Sequence, residues 1–361
     1  MPRILIDAHE DIAYSAINFN RDYSKSSKLI REEENGTQIP LLNGHAMLGY
    51  DDWKKANVAV IFATLFIIPK KYEQGDWEKV SYKDFNTAKA LLQKQIDFYH
   101  RFEYENPEKF IILKTKNQYT THWRQWEDEQ SLSKPIGLLL LLEGADGIKY
   151  PQEIEELYQQ GLRIVGLTWA GGKYCGGMYE PGGVTNEGRL LMEIMFDLNM
   201  GLDIAHMNEQ SALQALDIYE GVVLCSHANV KKLLNGFGGD RHLSDQLIRK
   251  VAERDGVIGL MPYNHFLDPD WTKLEPRDKV PLNLFVNHID HICQITGSVE
   301  NVSIGTDFDG GFGFPEVPCE LNSIADLPKL ADILTTRGYN ESDICSIFGL
   351  NWKRIVDRIV G

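Results

Sequence analysis

Residues 136–143 read IGLLLLLE, seven apolar or glycine positions that end on a carboxylate. A run this short, apolar on successive residues, fits a strand covered by helices on one side and by a core on the other. Three other stretches follow the same plan of an apolar run closed by a metal-binding side chain. These are RILIDAHED at 3–11, GLDIAH at 201–206 and VVLCSH at 222–227. With 58–66, 162–168, 256–261 and 302–305 they make eight candidate strands, placed at 3–8, 58–66, 136–142, 162–168, 202–205, 222–225, 256–261 and 302–305.

Helical patterns lie between them at 86–99, 151–160, 187–198, 211–219 and 244–254, the second with Pro151 at its first turn and Gly161 just beyond its end. Strands alternating with helices imply parallel βα units. Eight such units predict an α/β protein, a (β/α)8 TIM barrel formed by residues 1–361 as one domain. An open, doubly wound sheet satisfies the same periodicity. The stretch 67–135, rich in aromatics and charges, reads as an inserted excursion after the second strand that caps or extends one face, and it absorbs the short apolar run 110–113. Residues 326–335, 341–347 and 352–359 read as a helical C-terminal tail.

Acidic residues exceed Lys plus Arg by 15, which works against nucleic acid and anionic membranes as partners. The opening MPRILIDAHED holds no basic segment followed by a long apolar run, so no secretory signal is expected there. The five cysteines, Cys175, Cys225, Cys293, Cys319 and Cys345, form no CxxC pair and suit a reducing compartment, with the cytoplasm as the expected location.

On a barrel, the polar residues that end the strands meet over one pocket. His9 and Asp11 are two apart, so in extended backbone they point the same way. Glu143, His206 and His227 end three further strands. Three imidazoles and two carboxylates match the donor preference of zinc and admit other first-row divalent ions. Five ligands exceed one open tetrahedral site and suit two ions about 3.5–4 Å apart with a bridging carboxylate. Asp307 and Asp309, in GTDFDGG, add carboxylates two apart after the eighth strand. Either could take a proton from water or orient a metal-binding histidine. No GxxxxGK[ST] loop or GxSxG elbow competes. His288 and His291, in HIDH, precede the eighth strand on an expected helix and read as a structural polar network rather than a metal site.

The ordered motifs resemble those of the renal (membrane) dipeptidase family, zinc-dependent peptidases with a (β/α)8 fold. They are DAHED at 7–11, LLEGAD at 141–146, PGGVTNEGRLLMEIM at 181–195, GLDIAHM at 201–207, VVLCSHAN at 222–229, RHLSD at 241–245, HIDHI at 288–292, IGTDFDGG at 304–311 and the tail from Arg337. The resemblance implies a binuclear-zinc dipeptidase for small dipeptides with a free C-terminal carboxylate. His9 and Asp11 would hold one zinc and His206 and His227 the other, with Glu143 bridging. It further implies Arg241 as the grip on the substrate carboxylate, Asp307 as general acid/base, and a homodimer. One position departs. Where many members carry Leu-Thr-His-Asn, residues 167–170 are Leu-Thr-Trp-Ala, so Trp169 stands where an imidazole would approach the scissile carbonyl. An indole offers one N–H and no positive charge, which points to an altered substrate pocket. Two alternatives remain at this point: an amidohydrolase of a non-dipeptide amide or lactam, and a catalytically weak metal- or ligand-binding homologue.

Overall fold

The computed structural model describes residues 3–360, so the ends of the expected single domain lie outside the described residues. Eight parallel strands follow the expected order: β1 (Leu5–Glu10), β2 (Val58–Phe66), β3 (Ile136–Glu143), β4 (Leu162–Gly166), β5 (Gly201–Asp203), β6 (Val222–Leu224), β7 (Ile258–Leu260) and β8 (Val302–Ile304). Neighbours from β1 to β6 pair in sequence, as do β7 and β8. Two single parallel bridges complete the ring, Cys225 with Ile258 and Glu10 with Phe308. The Asp307 N–H donates to the His9 carbonyl across the second join (3.0 Å), and Asp7 accepts from the Thr306 N–H (2.7 Å) and hydroxyl (2.6 Å). The sheet is therefore a barrel rather than an open doubly wound sheet.

Strand alternation decides what faces the lumen. Ile6 and Ala8 of β1, Phe62 of β2, Leu139 and Leu141 of β3, and Ile164 of β4 share one buried cluster. Leu138, Leu140 and Leu142 belong to the larger cluster beneath the surrounding helices. Glu143 keeps the parity of Leu139 and Leu141, which carries its carboxylate to the top of the lumen. The opposite end is plugged by the last helix, Asn351–Ile359. Its Trp352 packs edge-on against Phe62 (5.3 Å between ring centres) and donates from its indole to the Ile304 carbonyl (2.8 Å). The candidate metal-ligating side chains thus gather at an end the tail does not cover.

The strand ends depart from expectation by a few residues. β1 runs two residues further, taking in His9, whereas β5 stops at Asp203 and leaves His206 on a left-handed residue (φ 65°) beyond it. Residues 67–135 divide into two parts. Ile68–Pro69 and Ser81–Tyr82 pair as a short ribbon. Helix Phe85–Glu105 packs outside β2, where the Tyr99 hydroxyl donates to the Thr64 carbonyl (2.8 Å). Phe110–Ile112 pairs with the first half of β3, on the edge that β4 takes over further along. Periodicity could not find this shared edge, because it depends on two strands meeting a third at different heights.

Helix Lys116–Glu127 presses His122 beneath β2, where its Nε2–H donates to the Ala59 carbonyl (2.8 Å) and Nδ1 has no partner. Burial lowers its pKa to about 4. The folded protein thus holds this imidazole neutral while the unfolded chain, near pKa 6.5, takes up a proton. Its contribution is whole above about pH 6.5 and is lost as pH falls toward 4, at about 1.4 kcal/mol per pH unit. Denaturant unfolding at pH 6.5 and 5 is expected to show His122→Gln losing about 1–2 kcal/mol less than the parent over that interval. An unchanged difference would remove His122 from the acid response.

Candidate metal centre

Each strand end delivers one part of a buried cluster. His9 Nε2 lies 3.1 Å from Glu143 Oε2, 3.9 Å from Asp11 Oδ2 and 3.8 Å from Asp307 Oδ1. The other Glu143 oxygen, Oε1, is 2.7 Å from His206 Nε2 and 3.8 Å from His227 Nε2, while the two imidazole nitrogens approach to 2.9 Å. Donor atoms of His9, Glu143 and His227 fall within one ion-sized space, and those of His9, Asp11 and Asp307 within another. The two groups share His9, and Glu143 faces imidazoles on both sides.

The donor set fits divalent cations on three counts. Asp11 Oδ1 is buried with no hydrogen-bond partner. The imidazole faces of His206 and His227 converge although burial drives both away from the protonated form, His206 to about 4 and His227 well below its usual value. Gly310 leaves room, since a Cβ there would collide with the Asp11 and Asp307 carboxylates together. Burial opposes charge on His9 as well, but Glu143, Asp307 and Asp11 outweigh it and raise this imidazole to about 10. Burial pushes Asp307 up to about 7, with Glu143 adding to the effect and His9 and Arg241 opposing it. Like charges this close are costly unless a cation lies among them.

The imidazoles are oriented from behind. The Ser226 hydroxyl donates to Asp203, whose carboxylate also accepts from the N–H groups of Ala205 (3.0 Å) and Ser226 (2.9 Å). With its single proton committed, Ser226 Oγ accepts from His227 Nδ1–H (2.8 Å) and faces His9 Nδ1 (3.4 Å). This hydrogen bond turns the Nε2 lone pair of His227 toward the cluster. Gly259 and Gly305 are required here because any side chain on either would strike the Ser226 carbonyl. Sequence reasoning missed Ser226, Asp203 and Gly310. Asp203 and Ser226 sit inside the GLDIAH and CSH runs, but nothing in their spacing shows that they meet.

The remaining candidates occupy three different places. Asp307 stands at the cluster on a left-handed residue (φ 56°). Asp309 does not face the pocket as its spacing from Asp307 allows. The strand has ended at Ile304, and Asp309 turns away to accept from the Met47 N–H (2.8 Å) and the Tyr23 hydroxyl (2.9 Å) beside Arg21. Arg241 is buried, donating to the His227 carbonyl (2.8 Å), with its guanidinium over the Phe266 ring (5.5 Å). Burial lowers its pKa, against the pull of Asp307 and Glu143. Trp169 is half-buried among Phe66 (5.4 Å), Tyr179 (5.3 Å) and His206 (6.1 Å). Asp11, Glu143, Trp169, His206, Arg241 and Asp307 line one cavity of about 320 Å³. His288 and His291 lie elsewhere, on helix Leu282–Thr296. His288 Nδ1 accepts from the Val230 N–H (3.1 Å) and His291 pairs with Asp245 (2.7 Å). Among the described residues no helix is long and apolar enough to cross a membrane.

Comparison with known proteins extends this picture. An uncharacterized protein of Klebsiella pneumoniae is 28% identical over 63% of this chain and 83% of its own length. An uncharacterized dipeptidase of Schizosaccharomyces pombe is 27% identical over 62% of this chain, a match that spans about half of that relative (53%). In fold, the chain is similar to a metallopeptidase of Rhodobacter sphaeroides liganded with a phosphinate mimic of the dipeptide L-Ala-D-Ala. The TM-score is 0.78 at 18% identity, covering 99% of both chains. The model of the membrane dipeptidase family, peptidase family M19, matches residues 2–360. The barrel, the donor cluster at its mouth and this full-length match agree: the chain belongs to the membrane dipeptidase family and is a metal-dependent hydrolase.

Proposed function

We propose that the protein is a binuclear-zinc dipeptidase that hydrolyses the amide bond of small dipeptides bearing a free C-terminal carboxylate. The observation that carries this reading is the meeting, in one cavity, of the Asp11, Glu143 and His206 donors with the buried guanidinium of Arg241, His9 standing against Glu143 (3.1 Å). His9 and Asp11 would hold one ion, His206 and His227 the other, and Glu143 both, since its two oxygens face opposite imidazoles. Another divalent first-row ion fits the same donors. Bound there, the ions supply Lewis-acid polarisation of the scissile carbonyl and acidify the attacking water.

The chain's own residues do the rest. Arg241 is a planar, permanently charged fork that is buried at the cavity wall, and it grips the substrate carboxylate and so fixes where the scissile bond lies. Asp307 is within 4 Å of His9 (3.8 Å) and lines the cavity, so it takes the water proton and returns it to the departing amine. Trp169 forms a wall of the cavity where the family pattern has an imidazole, and it shapes which acyl residue enters. This same indole supports a second reading, an amidohydrolase of a lactam or other non-dipeptide amide. A panel containing both substrate classes separates the two. Five cysteines free of disulfides support a cytoplasmic setting. A homodimer rests on the family resemblance and is checked by light scattering.

Arg241 gives the direct test. Capping the substrate carboxylate as an amide, or changing Arg241→Met, is expected to reduce kcat/KM by about 10²-fold or more, mostly through KM. The two losses should overlap rather than add when combined, because each removes the same contact. Full addition would place the carboxylate elsewhere.

A further inference from the structure

Glu78 is a carboxylate that the metal centre does not use. It lies in the loop between the two strands of the ribbon after β2, is 3% exposed, and lines the same cavity as Arg241. Its oxygens accept from the Tyr14 hydroxyl (2.7 Å) and the Gln74 N–H (2.8 Å). Among the described residues it forms no salt bridge, and the one charge that acts on it is that of Glu73. Burial raises its pKa from the usual carboxylate value, and Glu73 adds to the effect. A carboxylate has capacity for about four hydrogen bonds, so Glu78 keeps free acceptor positions. A buried charge without a counter-ion is costly, and in an enzyme pocket the missing partner can arrive with the substrate.

The barrel says what part of the substrate arrives there. Glu78 is held by Tyr14, in the helix that follows β1, whereas Arg241 rests on the His227 carbonyl and Met261, just past β6 and β7, so the two enter the cavity from different sides of the ring. The donor cluster, from β1, β3, β5 and β6, lies between. A dipeptide with its carboxylate on Arg241 and its scissile carbonyl over the cluster must extend its N-terminal residue toward β2. The α-ammonium is separated from that carbonyl by one carbon and stays beside Asp11 and Asp307. Glu78, held by the Tyr14 hydroxyl, lines the same cavity and is left for the side chain of that N-terminal residue. From Tyr14, the partner of Glu78, a chain of rings runs along the cavity wall, Tyr14 to Phe66 (5.7 Å), Phe66 to Trp169 (5.4 Å) and Trp169 to Tyr179 (5.3 Å). Aromatic faces attract a cation sliding along them.

We propose that Glu78 is a specificity-determining residue that pairs with a cationic side chain on the N-terminal residue of the substrate, making dipeptides that begin with Lys or Arg the preferred class. This rests on the dipeptidase reading above and deepens it. The test compares the zinc-loaded full chain on Lys-Ala and norleucyl-Ala, which share a four-carbon stem and differ in the terminal ammonium, in both configurations of the second residue. The expected kcat/KM ratio is about 10–100 in favour of Lys-Ala, the range of one hydrogen bond to a charged group. That ratio should fall toward one in Glu78→Gln and return in part in Glu78→Asp, with the change carried by KM. A ratio near one in the parent enzyme overturns the proposal without any variant and leaves the dipeptidase reading standing. A parent that cleaves neither substrate overturns both. A ratio that persists in a folded Glu78→Gln assigns the cation to another residue and also overturns the proposal.

Discussion

Replacing Glu143 with Gln is expected to lower kcat/KM by at least about 10³-fold and to reduce the bound metal below two ions per chain. The cause is geometric. Glu143 is the last residue of β3, and its two oxygens face different partners, Oε2 toward His9 (3.1 Å) and Oε1 toward His206 (2.7 Å). A glutamine keeps the shape but has one acceptor oxygen and turns an N–H₂ toward the other side. It also removes the negative charge that would offset the two proposed cations. Losing a group that only orients a ligand typically costs 10–100-fold. Losing one that faces both halves of the centre should cost more. Metal content measured beside kcat/KM separates this from a simple loss of activity. Two tightly bound ions with activity within tenfold of the parent would remove Glu143 from the bridging role. His288→Gln is the matched control, since that imidazole is also buried but lies on the Val230 N–H away from the cluster.

Asp307→Asn should act differently. Amide for carboxyl preserves size but cannot carry a proton between water and the leaving nitrogen, so kcat is expected to fall by about 10²–10⁴-fold while KM changes little. The backbone supports the substitution, because asparagine tolerates the left-handed conformation (φ 56°) that Asp307 adopts. Folding should therefore be preserved. The distinguishing measurement is a leaving-group series. Dipeptides whose departing amine is less basic need less help from an acid, so their penalty should shrink. A penalty equal across the series, accompanied by loss of metal, would make Asp307 a ligand with His9 and Asp11 instead, a role its 3.8 Å approach to His9 Nε2 also serves.

The sequence shows the parallel strands through its apolar runs because strands covered on both faces leave little room for polar residues, and IGLLLLLE is the clearest case. It shows the donors because a carboxylate or imidazole at the end of such a run has few reasons to be there. Arg241 was legible only through resemblance to a family, since a lone arginine after a glycine-rich turn looks like any surface charge. Asp309 misled for a physical reason. A separation of two predicts a shared face only while the chain stays extended, and here β8 ends at Ile304 before a pair of left-handed aspartates turns the side chains apart.

By itself, then, the sequence determined the alternation of strands and helices and the residue types at the strand ends, and hence a metal site on a parallel α/β fold, with barrel and open sheet both satisfying the periodicity. Only the tertiary structure decided how those ends meet. Closure through Glu10–Phe308 and Cys225–Ile258 sets β2 opposite β6 and lets Glu78 and Arg241, from distant parts of the chain, line one cavity. It also brings Ser226 from β6 to within reach of His9 on β1 (3.4 Å). Periodicity is a property of each segment and can be read locally. The meeting of residues 217 positions apart is a property of ring closure, which no single segment carries.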